Sequence, residues 1–569
     1  MSSKQGRRVA ALGVVILVAM IWHSSGQGRD EGRAAVEPIP QWLLYPSEAV
    51  KVLWRTKVEG KDAVEPEHGD FTRYRPPGAT TPVGHVAIPS HLFMATGGNN
   101  MHNDAYISDS YAVSGPLGVD PQVISRTQGF GGYGTLAFDR AGRIVAVYSN
   151  GRSFQLELMD PYTLEELASY DLPPRPWYFP LQGIMPWEYI GAGMYFYLDE
   201  RDRAVVPTTR NTIQVIQAPA PGSDAGFELV REYDLSDDVV PMSWPHQDSV
   251  AWVLPEWSGD RYWYATTAGV VGTVGRDSGD LRTRQLNGGL DGEIIENSFA
   301  VGEDGVFIVS DRALYRFGQD AEGGIAIDWR TPYDRGPAPK PGHITRGSGA
   351  SVTLMGGHDG PVAITDNAEP RIHVQFFRRS DGAVVCSVPV FAEGKSGTDL
   401  SLAAFEHADD GGRGLGLYSA LVENNWGHHR FPRSHPEPGL TRVDARRRPD
   451  GSHTCEEVWA SDEKSIGVFK LSLGNGLVYM YGRDESSTAT GWYFIAIDFR
   501  SGETVYRKHT GMGVGYNNWA GALFLHPDGG VAYSTTIFGL VSMRDRAFEP
   551  PRSAAPVSSK PPMRARPAP

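Results

Sequence analysis

Apolar and polar residues alternate with a period of two along most of the chain, and short polar turns interrupt the alternation at regular intervals. From about residue 130 the pattern falls into units of roughly 40–60 residues, each reading strand, tight turn, strand, loop, strand, turn, strand. The first clear copy runs from Leu136-Ala137-Phe138 through the turn Asp139-Arg140-Ala141-Gly142 to Ile144-Val145-Ala146-Val147-Tyr148. The hairpin signal Asn150-Gly151 and the strand Phe154-Gln155-Leu156-Glu157-Leu158 follow. Later copies carry Ser258-Gly259-Asp260 with Tyr262-Trp263-Tyr264, Ser380-Asp381-Gly382, Gly474-Asn475-Gly476 and His526-Pro527-Asp528-Gly529. Period-3.6 stretches are nearly absent. The expected fold is all-β: a single propeller of seven or eight four-stranded blades over residues 50–545. A β-helix fits less well, because the unit is longer than one coil. The last unit lacks an outer strand. Val52-Leu53-Trp54-Arg55-Thr56 is expected to supply it and close the ring from both termini.

Composition changes this picture little. The chain of 569 residues has 67 Gly and 41 Pro, as many tight turns require, and a formal net charge of −14 that excludes the basic face of a nucleic-acid binder. The N-terminus adds more. Lys4, Arg7 and Arg8 precede an apolar run over 9–22 that suits a signal peptide or an uncleaved signal anchor. Residues 1–28 are assigned to that segment and 29–49 to a linker, so an exported protein of the cell envelope is expected, held at the membrane if the segment is retained. Residues 546–569 read as a disordered Pro/Ala/Arg-rich tail. A monomer is expected. Cys386 and Cys455 are too few for a disulfide framework, and one bridge or two free thiols both stay open.

Candidate chemistry lies at the strand ends. Glu296-Asn297 enters one strand, and Asp366-Asn367 and Glu423-Asn424-Asn425 end others. Asn517-Asn518 precedes a fourth. In a propeller, the loops entering the first strand and those between strands two and three share one face, so all four groups are expected there. Glu296, Asn297, Asp366, Asn367, Glu423 and Asn424 offer the oxygen donors that a hard cation such as Ca²⁺ takes. His246 and His102 are the candidate proton carriers. Asp248, Asp311, Arg312, His343 and Arg346 are further candidates, as is the compact polar run Asn99-Asn100-Met101-His102-Asn103-Asp104. Asn and Asp are also default turn formers, whereas Glu is not.

Other motifs carry less. Gly347-Ser348-Gly349 lacks the spacing of a nucleophile elbow, and Gly129-Phe130-Gly131-Gly132 opens no helix. His428-His429 is expected to be a solvent-exposed pair without a role. Trp177, Tyr178, Trp187, Tyr189 and Tyr195 suit a ligand pocket or inter-blade packing alike.

These units, with their x-Asp-Gly turns, resemble the quinoprotein-like propellers and the propellers related to gluconolactonase, paraoxonase and strictosidine synthase. The second group implies a channel metal held by Glu, Asp and Asn that polarises a substrate, as in a metal-assisted hydrolase or lactonase. The tryptophan docking motif and vicinal cysteine pair of quinoprotein alcohol dehydrogenases are not evident, so bound pyrroloquinoline quinone (PQQ) is not expected. The alternatives are a non-catalytic ligand-binding or envelope scaffold and a quinone-dependent dehydrogenase. The small-molecule ligand is not named by the sequence.

Overall fold

The computed structural model describes residues 71–549, apart from 77–79, 129–130, 176–192, 238, 240–247, 288–291, 342, 344, 410, 413–415, 429–435, 485–490 and 519. The strands of the described residues form eight sheets, the blades of a propeller, antiparallel except where Ser110–Tyr111 adds in parallel to Lys470–Ser472. Blade 1 spans 132–172, blade 2 197–234, blade 3 250–285, blade 4 300–332, blade 5 353–389, blade 6 403–461 and blade 7 470–512. Blade 8 takes three strands from 523–545 and its outer strand from Pro121–Thr127, paired in register from Pro121↔Asp545 to Thr127↔Gly539. The ring is thus closed by a strand from the N-terminal side, as expected, but the segment is Pro121–Thr127 and not 52–56, which lies outside the described residues. The apolar run 9–22 and the tail after 549 lie outside them as well. Among the described residues no helix is long and apolar enough to cross a membrane.

Burial follows position in the blade. Every residue of the blade 3 inner strand, Val250–Pro255, is buried, whereas its outer strand Leu281–Gln285 is almost wholly exposed. Aromatic and β-branched side chains fill the space between neighbouring sheets, where a half-buried pleated surface favours them. The turns work through Asp and Gly. Asp139 Oδ1 accepts from Ala141 N (3.0 Å) and Arg143 N (2.9 Å), Asp199 repeats this with Arg201 and Arg203, and Asp498 accepts from Arg500 N and Ser501 N.

Neighbouring blades are clasped at the rim. Trp329, on the outer strand of blade 4, donates its indole N–H to Arg379 O of blade 5 (2.9 Å). Trp459 of blade 6 does the same to Phe499 O of blade 7 (2.8 Å). Each ring lies over a turn glycine of the next blade: a Cβ on Gly502 (φ +74°) would sit 2.6 Å from Trp459. Blades 5 and 6 are joined covalently. Cys386 and Cys455, each on an outer strand, form a disulfide with Cα atoms 6.2 Å apart, which settles the open alternative in favour of the bridge.

The N-terminal segment does more than close the ring. Residues 94–114 wind around the inside of the propeller. Phe138 N of blade 1 donates to Gly98 O, Leu198 N of blade 2 to Asn99 O, Val301 N of blade 4 to Ala105 O and Leu354 N of blade 5 to Tyr106 O. Ala404 N of blade 6 donates to Ser108 O, Leu471 N of blade 7 to Asp109 O and Gly530 N of blade 8 to Ser114 O. Inner strands present an unpaired edge to the channel, and these carbonyls satisfy it. The contacts fall toward the ends of the inner strands that lead into the first-to-second-strand turns. The segment therefore forms a floor on that face, and residues 105–110 are at most 1% exposed. The opposite face, with the candidate loops, is the mouth.

Candidate functional site: the central channel

At the mouth, three loops approach one another around Asp399. Glu296-Asn297 leads into blade 4, Thr398-Asp399 leads into blade 6, and Glu423-Asn424-Asn425 joins the second and third strands of blade 6. Asn297 Nδ2 donates to Asp399 O (3.1 Å) and to Gly349 O. Asn425 Oδ1 accepts from Thr398 Oγ1 (2.9 Å), and its Nδ2 donates to Glu423 Oε1 (3.0 Å). His428 Nε2 lies 3.3 Å from Asp399 Oδ2, while its Nδ1 bonds Asn425 O (2.9 Å).

The electrostatics of this group are one-sided. Burial, opposed by hydrogen bonds from Thr345, pushes the Glu296 carboxyl up to about 7, and the charges of Asp399 and Asp311 add to the push. Burial lifts fully buried Glu423 well above the usual carboxylate range. Bonds from Ser465 and Asn425 oppose that rise, and Asp399 adds to it. No Lys or Arg ranks among the main influences on either. Glu296 Oε1 and Glu423 Oε2 are buried without a hydrogen-bond partner. Burial lowers His428 to about 4, so its imidazole is neutral near pH 7.

At the floor the polar groups are paired. Asp109 sits between Lys470 Nζ, Ser401 Oγ and His102 Nδ1, the last at 3.0 Å. Lys470 Nζ also donates to Met101 O (2.8 Å). Burial alone would raise Asp109, but Lys470 and then His102 outweigh it and hold the carboxylate below its ordinary value. Tyr195 stands between floor and mouth. Its ring stacks on His102 with centroids 6.3 Å apart, and its hydroxyl lies 3.4 Å from Asn297 Oδ1.

Of the predicted donors, Glu296, Asn297 and Glu423 converge on this site. Asp366 instead caps its own loop, accepting from His373 N (2.7 Å) and Nδ1 (2.8 Å). Asn367 Nδ2 ties down Arg335 O and Ala338 O, Asn424 Nδ2 ties down Lys395 O and Pro438 O, and Asn518 Nδ2 holds Ser534 and Thr535. Asp248 and Asp311 likewise serve loop amides, Asp311 with an added ion pair to Arg335. Among the described residues no three His, Cys, Asp or Glu side chains are placed to share a metal ion. Of the six predicted donors, Asp366, Asn367 and Asn424 thus spend hydrogen bonds on loop backbone. His428, expected to be exposed, is a correction: it is 2% exposed and lies beside Asp399. His246, Trp177, Tyr178, Trp187, Tyr189 and His429 lie outside the described residues. Sequence reasoning missed Asp399, Asp109, Ser401 and Lys470. Asp399 sits in a lead-in loop like Glu296 and could have been found by aligning the blades, whereas a lone Lys inside an apolar strand carries no such signal.

No protein-family model matches the chain, and no curated protein matches it. Among solved structures it is similar to the β-propeller domain of Cps50 (Swd1) from Myceliophteria thermophila, at 9% identity over 60% of this chain and 93% of that one (TM-score 0.33). It is also similar to BamB from Moraxella catarrhalis, at 14% identity over 62% and 93% (TM-score 0.33). A chain of a Mitotic Checkpoint Complex matches at 11% identity over 61% and 86% (TM-score 0.30). The assignment as an eight-bladed propeller rests on the strand pairing itself.

Proposed function

We propose that this protein is an exported or membrane-anchored β-propeller that binds a small polar ligand at the mouth of its channel. One observation carries the reading: Glu296, Asp399 and Glu423 come from separate loops drawn together by Asn297 and Asn425, and Glu296 Oε1 and Glu423 Oε2 are buried without a hydrogen-bond partner. Buried carboxylates arranged in this way favour a partner that donates protons or positive charge. A ligand with an amine or several hydroxyls has that chemistry. The Cys386–Cys455 bridge agrees with an oxidising compartment outside the cytoplasm.

The hydrolase or lactonase reading is a finer form of the same proposal, with His102 moving the proton. In the metal-assisted version Glu296, Asn297 and Glu423 would supply the oxygen donors, and the cation would polarise the substrate. Calorimetric titration of the whole chain with calcium, with simple alkylammonium ions and with neutral polyols tests both forms. Binding of an ammonium or polyol that falls at least tenfold in Glu423→Gln supports the ligand site, and equal affinity in that variant overturns it. One calcium per chain, lost in Glu296→Gln/Glu423→Gln, would support the metal-assisted version.

A further inference from the structure

In six blades the outer strand bulges once against the third strand, at a matching place. The residue that follows the bulged one is Ala168, Arg231, Trp329, Cys386, Trp459 or Tyr506. At this position three aromatic rings cover the turn glycine that leads into the outer strand of the following blade. A Cβ on Gly382 would meet Trp329 at 2.5 Å, one on Gly502 would meet Trp459 at 2.6 Å, and one on Gly118 would meet Tyr506 at 2.7 Å. Arg231 reaches the corresponding turn of blade 3 and donates to Asp277 O (2.9 Å). Ala168 is too short to reach. Between blades 5 and 6 the position holds Cys386, and a Cβ on the matching glycine, Gly451 (φ +81°), would meet nothing within 4 Å. The bridge to Cys455 is therefore the clasp of this seam and stands where other seams have a ring.

This clasp differs from the others in two ways. Both half-cystines are half-buried on outer strands that are largely exposed, so a small reagent reaches them at the rim. The loop of 69 residues that the bridge closes also contains Asp399, Glu423, Asn425 and His428, the blade 6 part of the mouth. We propose that the Cys386–Cys455 bridge is a redox latch: reduction by a dithiol releases the rim of blades 5 and 6 and loosens the loop that carries these mouth residues. One dithiol sulfur attacks the bridge as a thiolate and breaks the S–S bond, and the second then displaces the mixed disulfide. Two electrons pass to the protein, Cys386 and Cys455 become thiols, and the dithiol leaves as a disulfide. The apolar cluster that includes Phe376, Val388, Leu402, Ala420 and Val443 spans both blades inside the rim, so the ring stays folded when the latch opens. Any effect on ligand binding rests on the site proposed above, whereas the latch itself does not.

Hydrogen exchange of the whole chain, read by mass spectrometry with and without dithiothreitol, tests the latch. On reduction the amides of Val384–Pro389 and His453–Ser461, and those over 397–399 and 423–425 at the mouth, are expected to exchange about tenfold faster or more. The outer strands of blades 2 and 3, Glu228–Asp234 and Leu281–Gln285, should not change. Cys386→Ser/Cys455→Ser should match the reduced parent with or without dithiothreitol. Cys386→Trp/Cys455→Ser places a ring at the clasp position over Gly451 and should regain protection that dithiothreitol cannot remove. If that variant fails to fold, the comparison of oxidised and reduced parent still decides. A bridge that dithiothreitol leaves intact in the folded chain, or equal exchange in the two forms, overturns the inference. Faster exchange confined to the two outer strands overturns the link to the mouth. Loss of ligand binding in the oxidised chain would instead count against the ligand site alone.

Discussion

Floor and mouth of one channel treat buried charge in opposite ways. At the floor, Asp109 has a cation, an imidazole and a hydroxyl around it, and its pKa is held down. At the mouth, Glu296 and Glu423 have hydrogen bonds but no leading cation, and their pKa values rise. The same contrast appears within one loop. Glu293, three residues before Glu296, accepts from Tyr315 (2.8 Å), pairs with Arg330 (3.3 Å) and is bound by Ser310, and its pKa is lowered. A satisfied carboxylate holds strands together. An unsatisfied one retains an unfavourable desolvation term that only a proton or a ligand relieves. The difference separates the paired carboxylates that build the fold from the pair at the mouth on which the proposed ligand site rests.

The contrast can be broken hardest at the floor. Lys470→Met leaves Asp109 buried without its cation and is expected to cost about 3–5 kcal/mol, read as a lower denaturant midpoint. Lys470→Met/Asp109→Leu should recover much of that loss, since the penalty comes from the orphaned charge. Next, replacing both Cys386 and Cys455 by Ser opens a loop of 69 residues and should cost about 2–4 kcal/mol by the same measurement. At the mouth the sign reverses. The folded form keeps a proton on Glu296 up to about pH 7, while the unfolded chain loses it near 4.5. Its contribution to stability is therefore complete below about pH 4.5 and is lost as pH rises to about 7, by at most ~3 kcal/mol. Glu296→Gln should be more stable than the parent at pH 8, and melting curves should converge near pH 5. A parent that loses no stability relative to Glu296→Gln across this window would show that the mouth is compensated after all. The smallest effect is at the rim, outside the channel. Trp459→Phe loses the bond to Phe499 O and should cost about 1 kcal/mol without altering ligand binding.

Much of the ring was legible beforehand. Asp and Gly in the turns and period-two strands follow from local backbone chemistry, and the eighth unit visibly lacked a fourth strand. Which segment supplied it was not legible. Both 52–56 and Pro121–Thr127 alternate acceptably, and the choice depends on a floor segment that winds around the axis before joining blade 8. For the site, Glu296 and Glu423 stood out because Glu is a poor turn former. Asp366, Asn367 and Asn424 offered the same oxygens on paper, yet they spend their hydrogen bonds on loop backbone.

By itself the sequence determined the repeat, the strand order within each blade and the face on which the candidate loops lie. These depend on contacts between residues close in the chain. Only the tertiary structure decided that Cys386 meets Cys455 and that Asp399 stands among the glutamates. The same holds for Asp109 with Lys470, which lie 361 residues apart in sequence. Their pairing depends on how eight blades and an inner segment close around one axis, and local preference does not encode that distance.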